Sequence, residues 1–175
     1  MVAAAAQTSG AKPEVEVLSY KWSSRVSKTD VGPAPSASPV QMGRSSISNK
    51  RERVSTRYYV YEIRLANNSS REIRAVAWDH IFTDPADGSE LGRHSLFVFE
   101  RIASGKTKSV EYNSPKRPVQ VVTVGGLENA NEKPFRESVA LKCVVFADLT
   151  FLVVDGVQRS ECERLRDDLI NSNKK

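Results

Sequence analysis

Apolar and polar residues alternate with a period of two over most of the chain after Thr56, the signature of half-buried β-strands. Tyr59, Tyr61, Ile63 and Leu65 alternate with Glu62 and Arg64. Ile73 to Phe82 predicts a second long strand. Its Val76, Trp78, His80 and Phe82 share one face, while Ala75, Ala77 and Ile81 make the other nearly apolar too. A strand apolar on both faces belongs at the centre of its sheet or under cover on both sides. Further strands are predicted over Leu91–Ile102, with Leu96 and Val98 opposite Phe97 and Phe99, and over Val119–Val124, Val139–Phe146 and Leu149–Val154. Lys106–Tyr112 is also strand-like, but polar enough to sit at a sheet edge.

Turn chemistry separates these runs. Asn67-Asn68-Ser69-Ser70, Thr83-Asp84-Pro85-Ala86-Asp87-Gly88, Ala103-Ser104-Gly105-Lys106 and Ala147-Asp148 supply residues that tolerate positive φ or bond back to the local backbone. The last element changes period. Ser160 with Glu163 fits a capping box, and Cys162, Leu165, Leu169 and Ile170 recur at helical spacing, which predicts a short amphipathic helix over 161–171. A helix this short is marginal alone in water, so its apolar stripe should dock on the sheet.

The N-terminal third is less regular. Val15 to Trp22 predicts a first strand. Residues 23–56 are rich in Ser, Pro and Gly, with Pro33, Pro35 and Pro39 close together. Such a composition buries too little apolar surface to offset its ordering entropy, and it reads as a long mobile loop. A tail ending near Thr56 is the alternative. Residues 1–14 read as a disordered N-terminus or a signal remnant, because Ala4-Ala5-Ala6 fits the small-residue part of a cleavage site without the basic start or apolar core. Residues 15–175 are expected to form one domain. The expected fold is all-β with one C-terminal helix: an antiparallel, immunoglobulin-like β-sandwich of seven or eight strands, with an up-and-down barrel as the alternative.

Composition narrows this further. The chain has 175 residues, a length suited to one domain, and no run approaches the ~20 apolar residues of a spanning helix. The net charge of +5 is uneven: residues 1–56 carry 8 Lys+Arg against 4 Asp+Glu, residues 57–175 carry 18 against 17. The densest cluster is Lys50, Arg51 and Arg53, which could meet nucleic acid or an anionic surface, although Glu52 interrupts it and a solvated linker explains it as well. The two cysteines, Cys143 and Cys162, suffice for one bridge, which is expected only in an oxidising compartment; two small buried thiols are the other reading.

Catalytic motifs are poorly matched. Gly105-Lys106-Thr107 imitates the end of a phosphate-binding loop, but Glu100 stands where that loop needs its first Gly. Asp79, His80, Asp84, Asp87 and His94 are the one acid/His cluster. Asp79 and His80 are neighbours on a strand and must point to opposite faces, so at most one can join any site. His80 is expected as a hydrogen-bonded core histidine, and Asp84 and Asp87 as turn residues. No catalytic, cofactor or metal-ligand set is assigned.

The run from Tyr61 to Thr107 resembles bacterial extracytoplasmic immunoglobulin-like domains of the FxLYD type. The matching pieces are Leu65-Ala66-Asn67-Asn68-Ser69, Ile81-Phe82-Thr83-Asp84 with Asp87-Gly88, and Ile102-Ala103-Ser104-Gly105-Lys106-Thr107, with Ser104 where Pro is common. The resemblance implies a sandwich, an envelope location and no active site. The expected function is a non-catalytic, periplasmic or secreted module that binds an unknown protein or envelope macromolecule. The rivals are a nucleic-acid-binding protein using Lys50, Arg51 and Arg53, and a small enzyme or metal binder around His80 and His94.

Overall fold

Strand β3 (Ile73–Thr83) carries apolar side chains on both faces, and the fold covers both. The computed structural model describes residues 12–31, 52–119, 135–154, 156–172 and 174. Seven strands appear among them, in two sheets. The first sheet orders β1 (Val15–Val31), β2 (Glu52–Asn67) and β5 (Thr107–Ser114) as β1-β2-β5. The second orders β4 (Glu90–Ile102), β3, β6 (Arg136–Phe146) and β7 (Phe151–Val153) as β4-β3-β6-β7. Every pairing is antiparallel. The second strand lies beside the fifth and the third beside the sixth, the immunoglobulin-like sandwich arrangement with the fourth strand joined to the third. The expected fold class is what the structure shows.

Between the sheets, Tyr61, Ile63 and Leu65 of β2 meet Val76, Trp78 and Phe82 of β3 and Val144 and Phe146 of β6. A register shift between Ile73 and Ala75 lets both Ile73 and Val76 turn into this core. On the outer face of the second sheet lies a separate small core, where helix α1 (Arg159–Ser172) buries Cys162, Leu165 and Leu169 against Ala75, Cys143 and Val145. The helix starts at Arg159, so Ser160 lies within its first turn rather than before it.

The reading of 23–56 as one loop is corrected at both ends. β1 and β2 stay in register from Val15↔Asn67 to Val31↔Glu52, so residues 23–31 and 52–56 are paired strand. Val26, Thr29, Val31, Val54 and Thr56 supply the β-branched content that favours this, and the prolines all lie beyond it. Composition over the whole segment averaged these two strand ends with the Pro-rich middle. Val15–Trp22 is therefore the first half of a longer integral strand. Residues 32–51, and most of the expected strand Val119–Val124, lie outside the described residues. Among the described residues β5 pairs with β2 alone, at the edge of its sheet, as its polarity implied.

Candidate functional site

Asp79 and His80 do point to opposite faces. His80 faces the inter-sheet core and is fully buried. Its Nε2 lies 3.2 Å from Glu137 Oε1, and its ring stacks on Phe82 at 5.1 Å and meets the edge of Tyr61 at 5.2 Å. His94 sits directly opposite on β4, and its Nε2–H donates to the Pro118 carbonyl at 2.8 Å. The two histidines are thus cross-strand neighbours, each engaged by its own oxygen partner. Asp84 accepts the amide of Ala86 and Asp87 that of Ser89, which makes both of them turn residues. The Ser89 bonds hold the Asp87 carboxyl below the usual carboxylate range. Among the described residues no three His, Cys, Asp or Glu side chains group to hold a metal ion. Lys50 and Arg51 lie outside the described residues, and Arg53 is on β2 opposite Asp30.

Cys143 of β6 and Cys162 of α1 are joined in a disulfide, with Cα atoms 5.5 Å apart. The bridge pins the helix across β6, β7 and the near side of β3, while among the described residues no element packs over the outer face of β4. On β4 the strand alternation therefore turns Phe97 and Phe99 outward to solvent at 45% and 39% exposure, their rings 5.6 Å apart. Between α1 and this strand runs a groove of about 750 Å³, whose lining includes Ala77, Phe97, Cys143 and Leu165 together with Lys142 and Arg164.

A polar network closes one end of that groove. Asp79, only 6% exposed, accepts from Ser95 Oγ at 2.6 Å and Arg93 Nη1 at 2.9 Å, and lies 3.8 Å from Lys142 Nζ. Lys142 also pairs with Glu161 of α1. Arg93 holds Glu90 in a two-point grip that lowers the Glu90 carboxyl below its usual range, while the bonds to Glu90 and Asp79 raise Arg93 further above its own. The chain of charges Glu90–Arg93–Asp79–Lys142–Glu161 thus runs from β4 across β3 and β6 to the helix. A buried carboxylate needs such neutralisation. Its oxygens are committed to two donors and an ion pair with Lys142, which suits it to orienting the groove wall rather than to proton transfer. A groove whose lining mixes apolar side chains with fixed polar groups has the make-up of a binding surface.

Sequence reasoning placed Phe97 and Phe99 on one face without saying which face met solvent. The signal was present in Arg93, Ser95 and Arg101, which share their parity. The Asp79 network was not legible, because its members come together only through the pairings Asp79↔Ser95 and Asp79↔Ala140.

Set against family models, curated proteins and solved structures, the chain matches none. The class that the fold defines is a seven-stranded antiparallel β-sandwich with a disulfide-linked C-terminal helix. Among the described residues no helix is long and apolar enough to cross a membrane.

Proposed function

We propose that the chain is a non-catalytic, exported, immunoglobulin-like module that binds another macromolecule in the cell envelope through the outer face of β4. The observation that carries this reading is that the disulfide-held helix covers one half of the outer sheet face, while Phe97 and Phe99 stand exposed on the other half beside the groove. Exposed adjacent aromatics rimmed by charge are the usual mark of a contact surface. A bridge between two buried cysteines supports an oxidising compartment, since cytosolic thiols are kept reduced. The resemblance of residues 61–107 to FxLYD-type domains supports the same location.

The test has two parts. In protein taken from its native host, Cys143 and Cys162 should resist a thiol reagent under denaturing conditions until a reductant is added; free thiols there would refute export. A photo-crosslinker replacing Phe97 should then capture one discrete envelope partner, whereas one replacing Glu111, on β5 of the other sheet, should not. Equal capture at both positions, or at neither, would refute the binding face.

A further inference from the structure

The β1–β2 hairpin outruns its sheet. β5 pairs with β2 only from Tyr59 to Ala66, so from the Arg25↔Tyr58 rung outward the hairpin continues, among the described residues, as two strands. At the base of this arm lies a second cleft, of about 280 Å³, whose lining includes Trp22, Arg57, Tyr59, Arg117 and Phe135. Tyr59 and Arg57 continue the face that Tyr61 turns to the core, and Trp22 is the cross-strand partner of Tyr61. Among the described residues the cleft thus lies at the end of the sandwich interior, where the aromatic core continues to its edge. Trp22 lies 6.4 Å from Tyr59, 5.9 Å from Phe135 and 6.3 Å from the buried Phe82, so its ring is held by the core. Arg57 and Arg117 add two guanidinium groups to the same lining, and both side chains are exposed.

We infer that this cleft binds a small anion carrying a flat ring, the ring against Trp22, Tyr59 and Phe135 and the carboxylate or phosphate on Arg57 and Arg117. The chemistry follows from the side chains. Core-held aromatic rings offer faces and edges for offset or edge-on packing. Guanidinium forks match carboxylate and phosphate geometry with two parallel bonds. The volume lies at the low end for ligand sites, which limits the occupant to one or two rings. Charge favours an anion here: Arg57 and Arg117 are both cationic, and none of the described lining residues is acidic. A concave site of one sign raises the local concentration of its counter-ion. The cleft is built from the opposite end of the strands from the Asn67 turn and shares no lining residue with the groove beside α1, so the inference stands apart from the proposed β4 surface.

Phenyl phosphate is the probe, with inorganic phosphate and phenol as the anion and the ring alone. Titrated by calorimetry and by the fluorescence of Trp22, phenyl phosphate should bind saturably and about tenfold or more tighter than either control. Arg57→Ala and Arg117→Ala should each weaken it by about tenfold, the scale of a lost charge-assisted hydrogen bond. Both positions are exposed, so melting should be unchanged. Phe97→Ala, in the other groove, should leave the affinity as it was. Phenyl phosphate binding no tighter than phosphate would reduce the site to a nonspecific anion patch and overturn the inference. So would the absence of saturation, affinity untouched by both Arg substitutions, or loss of binding in Phe97→Ala.

Discussion

Asn67 Nδ2 donates to the carbonyl of Ile102 at 3.0 Å, and this bond ties the end of β2 in one sheet to the end of β4 in the other. The same amide nitrogen donates to the Arg71 carbonyl at 2.7 Å, and Oδ1 accepts both the amide and the hydroxyl of Ser69. The backbone of Asn67 adds bonds to Lys106 and Gly105, in a turn where Gly105 takes a φ of 69°. One fully buried side chain thus satisfies groups from two sheets and closes two turns together.

Asn67→Ala should therefore cost about 2–4 kcal/mol, because each buried polar group left without its partner costs about 1–3 kcal/mol. Asn68 is exposed, and its Nδ2 donates only to the exposed Pro13 carbonyl, so Asn68→Ala should stay within about 0.5 kcal/mol. Urea unfolding of the pair checks this, and equal effects would refute the clasp. The same contrast separates two overlapping glycosylation sequons. In a eukaryotic secretory host, mass spectrometry should find glycan on Asn68 and none on Asn67.

The bridge between Cys143 and Cys162 closes a loop of sequence separation 19. Closing a loop of that size stabilises a fold by about 3 kcal/mol, or about 6–12 °C in melting temperature for a chain of this length. Reductant should lower melting by that amount in the wild type and leave a Cys143→Ala/Cys162→Ala double variant unmoved. Because the second core consists of α1 against β3, β6 and β7, hydrogen exchange in the reduced protein should rise first in the helix. Uniform acceleration across β2 and β3 would mean the helix is not a separate unit.

The tyrosine at the centre of the core makes a claim about alkaline pH. Tyr61 is fully buried, and its hydroxyl has no hydrogen-bond partner among the described residues. Burial first, and then Tyr59, push its ionisation well above the ordinary 10.0. The folded protein thus keeps a proton that the unfolded chain releases once pH exceeds about 10, so stability is constant below that pH and falls as pH rises past it. Tyr61→Phe removes both the titration and the unpartnered hydroxyl. It should be at least as stable as wild type at pH 7 and lose less stability between pH 9 and 11, as followed by urea midpoints. Parallel pH profiles for the two proteins would contradict this assignment.

How far the sequence carried these features depended on whether the signal was local. The alternation in Tyr59–Leu65 and the double-faced β3 follow from side-chain order alone, and both survive in the structure. The turn roles of Asp84 and Asp87 were likewise local. The extension of β1 past Trp22 is not legible because polar residues, three of them Ser, outnumber apolar ones over 23–31 and its pairing partner lies across the Pro-rich stretch. The Asp79 network and the cleft at Trp22 were hidden for the same reason: Arg93, Lys142, Arg117 and Phe135 are distant in sequence and converge only through sheet register. The cysteines were legible as candidates, but the choice between bridge and thiols needed the docking of α1 on β6.

The exposed aromatics of β4 allow stability and function to be separated. Phe97 and Phe99 lie on the solvent face, outside both cores, although each ring is a little more than half covered. The double variant Phe97→Ser/Phe99→Ser should therefore stay folded and cost about 1–2 kcal/mol, less than the loss of one core aromatic. Trp78→Ala, at zero exposure on the adjacent strand, should cost about 3–5 kcal/mol. If β4 is the contact surface, the serine variant should lose the partner captured by crosslinking while its circular dichroism and cooperative urea unfolding remain those of a folded sandwich. A serine variant that unfolds would show that the two rings belong to the structural core. One that folds and retains its partner would place the binding surface elsewhere on the sandwich.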